Sequence, residues 1–226
     1  MIRGIYNSAS GMITQKKRLD VVTNNLANTT TTGYKEDRLL SSSFSEMYIA
    51  KLEGGRIIDK PQVIGSKSFG VHIDEVVTSF SAGNFEETGI YTDFALQGEG
   101  FFVVESPQGL LYSKSGNFKV SEDGILVTGN GYPVMSDNGY IQAGYGEFSV
   151  SDNGDIITEN GQFKLSVVEF ENKSYLRKQG DGLYANLGDQ PIDAQNTKVI
   201  QGFLESSNVD LVKQMVDMIE ISRNFE

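Results

Sequence analysis

The sequence predicts an α+β protein: a mainly antiparallel β domain flanked by N- and C-terminal amphipathic helices that pair in a coiled-coil-like manner. Three observations predict it. Ile5, Met12, Leu19 and Leu26 recur every seven residues at one end. Leu211, Met215, Met218 and Phe225 recur at spacings of four, three and seven at the other. Between them, short alternating strands are separated by Asn-Gly and Asp-Gly dipeptides.

The first stripe predicts a helix over residues 3–28, broadened by Met12-Ile13 and Val21-Val22. Ile2 and Ala9 occupy an alternate seam that Lys16 and Thr23 interrupt, and Gly4 and Gly11 each weaken the helix by about 1 kcal/mol. Four successive threonines, Thr29 to Thr32, followed by Gly33 end it. Leu40, Phe44, Met47 and Tyr48 give residues 37–51 a weaker helical stripe, broken by Gly54-Gly55 and Pro61. The last helix is expected to start near residue 208, with Ser207 as N-cap and Asp210 three residues on. No Gly, Pro or Asn cap lies beyond Phe225, so this helix is expected to continue past Glu226 in the native protein. At ~1.5 Å per residue the helices would span roughly 39 and 28 Å. The expected division is residues 1–35 as N-terminal assembly helix and linker, 36–69 as connecting segment, 70–204 as β domain, and 205–226 as C-terminal assembly helix.

Within the β domain Val71 and Ile73 alternate with polar neighbours, and Phe101-Phe102-Val103-Val104 reads as a buried strand. Six turn dipeptides follow, at 123–124, 130–131, 138–139, 153–154, 160–161 and 181–182. They suit type I′ hairpins, whose two central residues need positive φ. Gly116, Phe118, Val120, Ser121, Gly124, Thr128, Asn130 and Gly131 recur thirty residues later as Gly146, Phe148, Val150, Ser151, Gly154, Thr158, Asn160 and Gly161. Two similar hairpins are expected.

Composition narrows the function. The net charge of -11 repels phosphate backbones and anionic lipid. Cys 0 and His 1 exclude thiol catalysis and multi-cysteine or multi-histidine metal sites. No apolar run reaches membrane-spanning length, and no cleavable secretory signal opens the chain.

The remaining constellations are weak. Gly98-Glu99-Gly100 precedes a strand, whereas a phosphate loop needs glycines after a strand and opening a helix. Asp152, Asn153, Asp155 and Glu159 supply oxygen ligands in an order that does not fit an EF-hand. Glu86-Glu87 and Asp74-Glu75 are adjacent, so strand geometry turns them to opposite faces. His72 has no recognisable base partner and is read as structural or exposed. No catalytic, cofactor or metal residue is assigned.

Ser10-Gly11-Met12, Asn24-Asn25-Leu26-Ala27-Asn28 and Thr31-Thr32-Gly33-Tyr34-Lys35 resemble the N-terminal signature of the bacterial flagellar rod and hook axial proteins. Leu204-Glu205-Ser206-Ser207-Asn208-Val209-Asp210, with Met218-Ile219 and Arg223, resembles the family's C-terminal element. Leu96 through Phe102 and Tyr112 through Leu126 resemble the inserted β domain of its larger rod members.

The resemblance implies a non-enzymatic axial subunit of the basal-body rod, the drive shaft that transmits torque across the periplasm. It implies export by the flagellar type III apparatus without a cleaved signal. Expected partners are copies of itself, neighbouring rod and hook-type axial proteins and, for a distal subunit, the P-ring and L-ring bushing. The assembly interface is expected at Ile5, Met12, Leu19, Leu26, Leu211, Met215, Met218 and Phe225. The signature linker is Asn24, Asn25, Ala27, Asn28, Thr32, Gly33, Tyr34 and Lys35. The alternatives are a rod-associated peptidoglycan hydrolase and a secreted β-sheet binding module.

Overall fold

A computed structural model describes residues 2–50, 63–158, 160–188, 190–194 and 196–225. The breaks expected at Gly54-Gly55 and Pro61, and Glu159 of the oxygen-rich loop, lie outside the described residues. The chain divides into two compact units: residues 1–26, 37–77 and 211–226 form one, and residues 27–36 and 78–210 the other.

The first unit holds helix α1 (Ile2–Ala27), strands β1 (Asp37–Ser43), β2 (Met47–Ala50), β3 (Val63–Lys67) and β4 (Val71–Thr78), and helix α2 (Leu211–Phe225). β1 pairs with β4, and β2 with β3 in an antiparallel ribbon. The helical reading of residues 37–51 is overturned over residues 37–50, which hold β1 and β2, and residue 51 lies outside the described residues. Residues 37–41 alternate between half-buried and exposed, the period of a strand. Ser41-Ser42-Ser43 also disfavours helix, because serine hydroxyls compete for backbone hydrogen bonds. The last helix starts three residues later than expected. The Ser207 hydroxyl accepts from Val209 N at 3.3 Å, and the Asn208 amide is drawn away to other backbone, so neither opens the helix.

The second unit is antiparallel throughout its named pairings, as the turn chemistry predicts. After β5 (Phe85–Glu87) and β6 (Phe94–Gln97) come β7 (Phe101–Ser106), β8 (Gly109–Ser113), β9 (Lys119–Val120), β10 (Leu126–Val127), β11 (Met135–Ser136) and β12 (Gly139–Tyr140). Then follow β13 (Ser149–Val150), β14 (Asp155–Thr158), β15 (Gly161–Lys164), β16 (Val167–Glu169), β17 (Leu176–Gly180), β18 (Leu183–Asn186), β19 (Ile192–Asp193), β20 (Lys198–Gln201) and β21 (Phe203–Glu205). The largest sheet has six strands in the order β17-β18-β8-β7-β16-β19.

β7 explains why two cores form. Its alternate side chains point to opposite faces. Phe102 and Val104 pack with Leu96, Phe118, Leu126, Phe148 and Ile156, whereas Phe101 and Val103 pack with Tyr112, Phe170 and Tyr184. A strand buried on both sides needs the unbroken apolar run that the sequence supplies.

The repeated hairpins superpose in their bonding. Gly124 N donates to Ser121 O at 3.0 Å, and Gly154 N to Ser151 O at 2.8 Å. Ser121 N reaches Ile125 O, and Ser151 N reaches Asp155 O, in the same way. Their geometry corrects the type I′ expectation. Among the described residues Asp181 is the non-glycine residue with positive φ, so Asp181-Gly182 alone has both central residues there. In the two repeats only the glycine takes positive φ, as in a three-residue loop closed by a glycine bulge.

Candidate assembly surface and signature junction

α1 keeps its helical course through Gly4 and Gly11. Most of its large apolar side chains face solvent near the N-terminus: Ile5 is 69%, Tyr6 66%, Met12 49% and Ile13 64% exposed. Leu19 and Leu26, closer to its end, are half-buried, and Val22 is buried. α2 repeats the pattern, with Leu211, Val212, Met215, Val216, Ile219 and Phe225 exposed, Met218 half-buried and Ile221 buried. A row of exposed aliphatic side chains this dense is the mark of a surface that meets another protein.

The ribbon β2–β3 was invisible to the periodicity argument. Met47, Tyr48, Ile49, Val63 and Ile64 are all exposed along it. A lone two-stranded ribbon is marginal in water, and this one carries apolar side chains on both faces. The signal in the sequence was Met47-Tyr48-Ile49, a short β-prone run that the helical reading absorbed.

The signature residues divide sharply by burial. Asn24 and Ala27 are exposed, Asn28 and Thr32 half-buried, and Asn25, Gly33, Tyr34 and Lys35 buried. Asn25 acts as an amide clamp on the chain that leaves the helix. Its Nδ2 donates to Asp37 O at 2.8 Å, and its Oδ1 accepts from Asp37 N at 3.0 Å. The same Nδ2 lies 3.4 Å from Gln214 Oε1 of α2. Asn28 closes the turn after α1 by accepting from Thr31 N at 3.2 Å.

Gly33 has φ +68°, and a Cβ there would lie 2.4 Å from Ser115 N. Only glycine fits both the left-handed backbone and the close approach. The next three residues are fixed by the C-terminal element. Gly33 N donates to Glu205 O at 2.7 Å, Glu36 N to Asn208 Oδ1 at 2.7 Å, and Asn208 N to Tyr34 O at 3.4 Å. Lys178 Nζ stands 4.0 Å over the Tyr34 ring and donates to Lys35 O. Lys35 Nζ donates to Glu205 Oε1 at 2.7 Å and to Ser81 O at 2.9 Å, with both charged side chains almost wholly buried. The two motifs found at opposite ends of the sequence therefore meet inside the second unit. Sequence reasoning placed Glu205 in a motif but gave it no partner.

The polar constellations resolve into local contacts. His72 Nε2 lies 2.9 Å from Asp74 Oδ1 and 3.3 Å from Ser42 Oγ. Asp74 is two residues along β4, hence on the same face, a partner that strand periodicity could have supplied. Both groups meet the same imidazole nitrogen, so no proton path runs through the ring. Lys198 approaches Asp152 at 3.7 Å. Among the described residues no three metal-ligating side chains converge. Among the described residues no helix is long and apolar enough to cross a membrane.

Three family descriptions match successive parts of the chain. Residues 5–35 match the flagella basal body rod protein family, residues 95–158 the D1 domain of the flagellar hook protein FlgE/F/G group, and residues 200–226 the C-terminal region of the flagellar basal body rod FlgEFG proteins. The chain is 32% identical to the flagellar basal-body rod protein FlgG of Bacillus subtilis, covering 100% of this chain and 92% of that protein. It is 33% identical to the rod protein FlgF of Caulobacter vibrioides, covering 100% of this chain and 90% of the relative. The hook protein FlgE of Treponema pallidum is 36% identical over 56% of this chain and 27% of its own length. Matches in both terminal elements and the β domain, and identity above 30% over the whole chain, place it: this protein belongs to the flagellar basal-body rod protein family.

Proposed function

We propose that this chain is a structural axial subunit of the flagellar basal-body rod, polymerising through its terminal helices. The observation that carries the reading is the exposed apolar row on α1 and α2, in a protein whose second unit closes two buried apolar cores of its own. Burying a large aliphatic side chain contributes ~1.5–3 kcal/mol, and these rows hold enough of them to offset the ordering of two helices. Ile5, Met12, Leu211, Met215 and Phe225 are the contact residues proposed to meet other subunits, with Leu19, Leu26 and Met218 packed beside them. The β2–β3 ribbon adds further exposed apolar side chains to the same unit.

The partners are copies of this chain, adjoining rod and hook-type axial proteins and, for a distal position, the P-ring and L-ring bushing. Passage through the flagellar type III apparatus without a cleaved signal suits a chain whose terminal helices gain most of their burial after assembly. The family is structural, and no feature of the fold favours a peptidoglycan hydrolase or a stand-alone binding module.

The test is sedimentation and electron microscopy of the full chain beside Met12→Asp. Met12 is half exposed, so a carboxylate there leaves the monomer folded and is costly only where the surface is desolvated. Loss of polymer with unchanged thermal unfolding supports the reading. Normal polymerisation of Met12→Asp removes α1 from the interface.

A further inference from the structure

Three charged side chains of the second unit are almost wholly buried, and the charges of Glu205 and Lys35 both act on Lys114. Lys35 comes from the N-terminal signature, Lys114 follows β8, and Glu205 ends β21; each is at most 3% exposed. Lys114 Nζ donates to Gly98 O at 2.9 Å and lies 5.0 Å from the centre of the Phe101 ring. Glu205 Oε1 accepts from Lys35 Nζ and, at 2.8 Å, from Gly83 N, while its Oε2 has no hydrogen-bond partner among the described residues. Gly83 is required for this approach, since a Cβ would sit 2.1 Å from Ser206 O. Two buried amines are thus set against one buried carboxylate, with Lys173 and Glu99 as the other charges that act on Lys114.

We propose that Glu205 is the bolt of a latch: as long as Lys35 carries its charge, the N-terminal segment 31–36 stays seated in the second unit only while strand β21 holds this carboxylate against the Lys35 amine. Removing one partner of a buried ion pair leaves an uncompensated charge, which is far costlier than removing both. Without Glu205 the Lys35 ammonium would keep its bond to Ser81 O and Lys114 its bond to Gly98 O, but Lys35 would lose its buried counter-charge. Lys35 can relieve this by leaving, because it rides on an irregular segment. Lys114 cannot, because it adjoins a central strand of the six-stranded sheet. The backbone bonds from Gly33 to Glu205 and from Glu36 to Asn208 would open with the departing segment. The C-terminal element is then a strap, and the N-terminal linker is gripped only once the strap has closed.

This latch does not depend on polymerisation and is tested on the unpolymerised full chain. In Glu205→Gln, acylation of the Lys35 amine, read by mass spectrometry, rises at least tenfold. Hydrogen exchange at Gly33 and Glu36 accelerates by a similar factor, while Val103 in β7 keeps its protection. The double variant Lys35→Met/Glu205→Gln, which removes both charges, restores slow exchange at Gly33 and Glu36. Unchanged Lys35 acylation in Glu205→Gln overturns the proposal. So does simultaneous loss of protection at Val103, which would make the pair part of one indivisible core. A double variant that remains open overturns the charge argument.

Discussion

The two units of this protein dispose of their apolar and charged residues in opposite ways. The unit of residues 27–36 and 78–210 buries Phe94, Phe101, Phe102, Val104, Leu126, Val134, Ile141 and Ile156 completely, and carries 8 Lys+Arg against 20 Asp+Glu. The unit of residues 1–26, 37–77 and 211–226 leaves most of its large apolar side chains in solvent, and carries 11 Lys+Arg against 10 Asp+Glu. A strongly acidic body resists association with copies of itself. A near-neutral, apolar one favours it. The net charge of the whole chain, which argues against nucleic acid and anionic lipid, is therefore a property of one unit. The proposed assembly surface belongs to the other.

That contrast breaks most readily at the cores. Phe102→Ala removes a fully buried ring that meets Phe118 edge-on at 5.0 Å, and should cost about 3–5 kcal/mol in denaturant unfolding of the second unit. Val216→Asp, on an exposed position of α2, should change that transition by less than about 0.5 kcal/mol while abolishing polymer in sedimentation. If the two variants behave alike, the units are one cooperative body.

The acidic unit also holds a group whose titration sharpens the comparison. Burial lowers the Lys114 ammonium from its ordinary 10.5 to about 8, opposed by attraction to Glu205 and aided by repulsion from Lys35. Between these values the unfolded chain binds the extra proton, so stability must rise with pH in that window. The gain should be on the order of 3 kcal/mol by pH 10, and Lys114→Met should flatten it in thermal melts. Above about pH 10.5 the rise should reverse, because burial raises the Tyr112 phenol and the unfolded chain ionises first.

A smaller effect is expected at Asn25→Ala. Losing the amide removes its two bonds to the Asp37 backbone and should cost about 1–3 kcal/mol, confined to exchange and proteolysis of the first unit. Gly131→Ala should be smaller still, about 1 kcal/mol, because its φ of +85° disfavours a side chain but nothing lies within 4 Å of the added methyl.

Legibility in the sequence followed the same division. Seven-residue spacing located α1, and Asn-Gly chemistry located the antiparallel region, because both signals are local. Residues 37–50 misled because Leu40, Phe44, Met47 and Tyr48 mimic a helical stripe, whereas their strands are set by pairing with distant β4 and β3. The start of α2 was misplaced because Asn208 spends its side chain on Glu36 N, Ser79 O and Ser81 O, contacts between opposite ends of the chain. Glu205 escaped notice for the same reason. A motif shows that a carboxylate is present but not that a lysine 170 residues away closes on it.

The central claim, that one unit is complete as a monomer and the other is completed by assembly, is tested most directly by hydrogen exchange in monomer and polymer. The amides of α1 between Ile5 and Thr14 should exchange at least tenfold more slowly in the polymer, while those of β7 and β8 should not change. Equal protection of α1 in both states, or a large change confined to β7 and β8, would contradict the account.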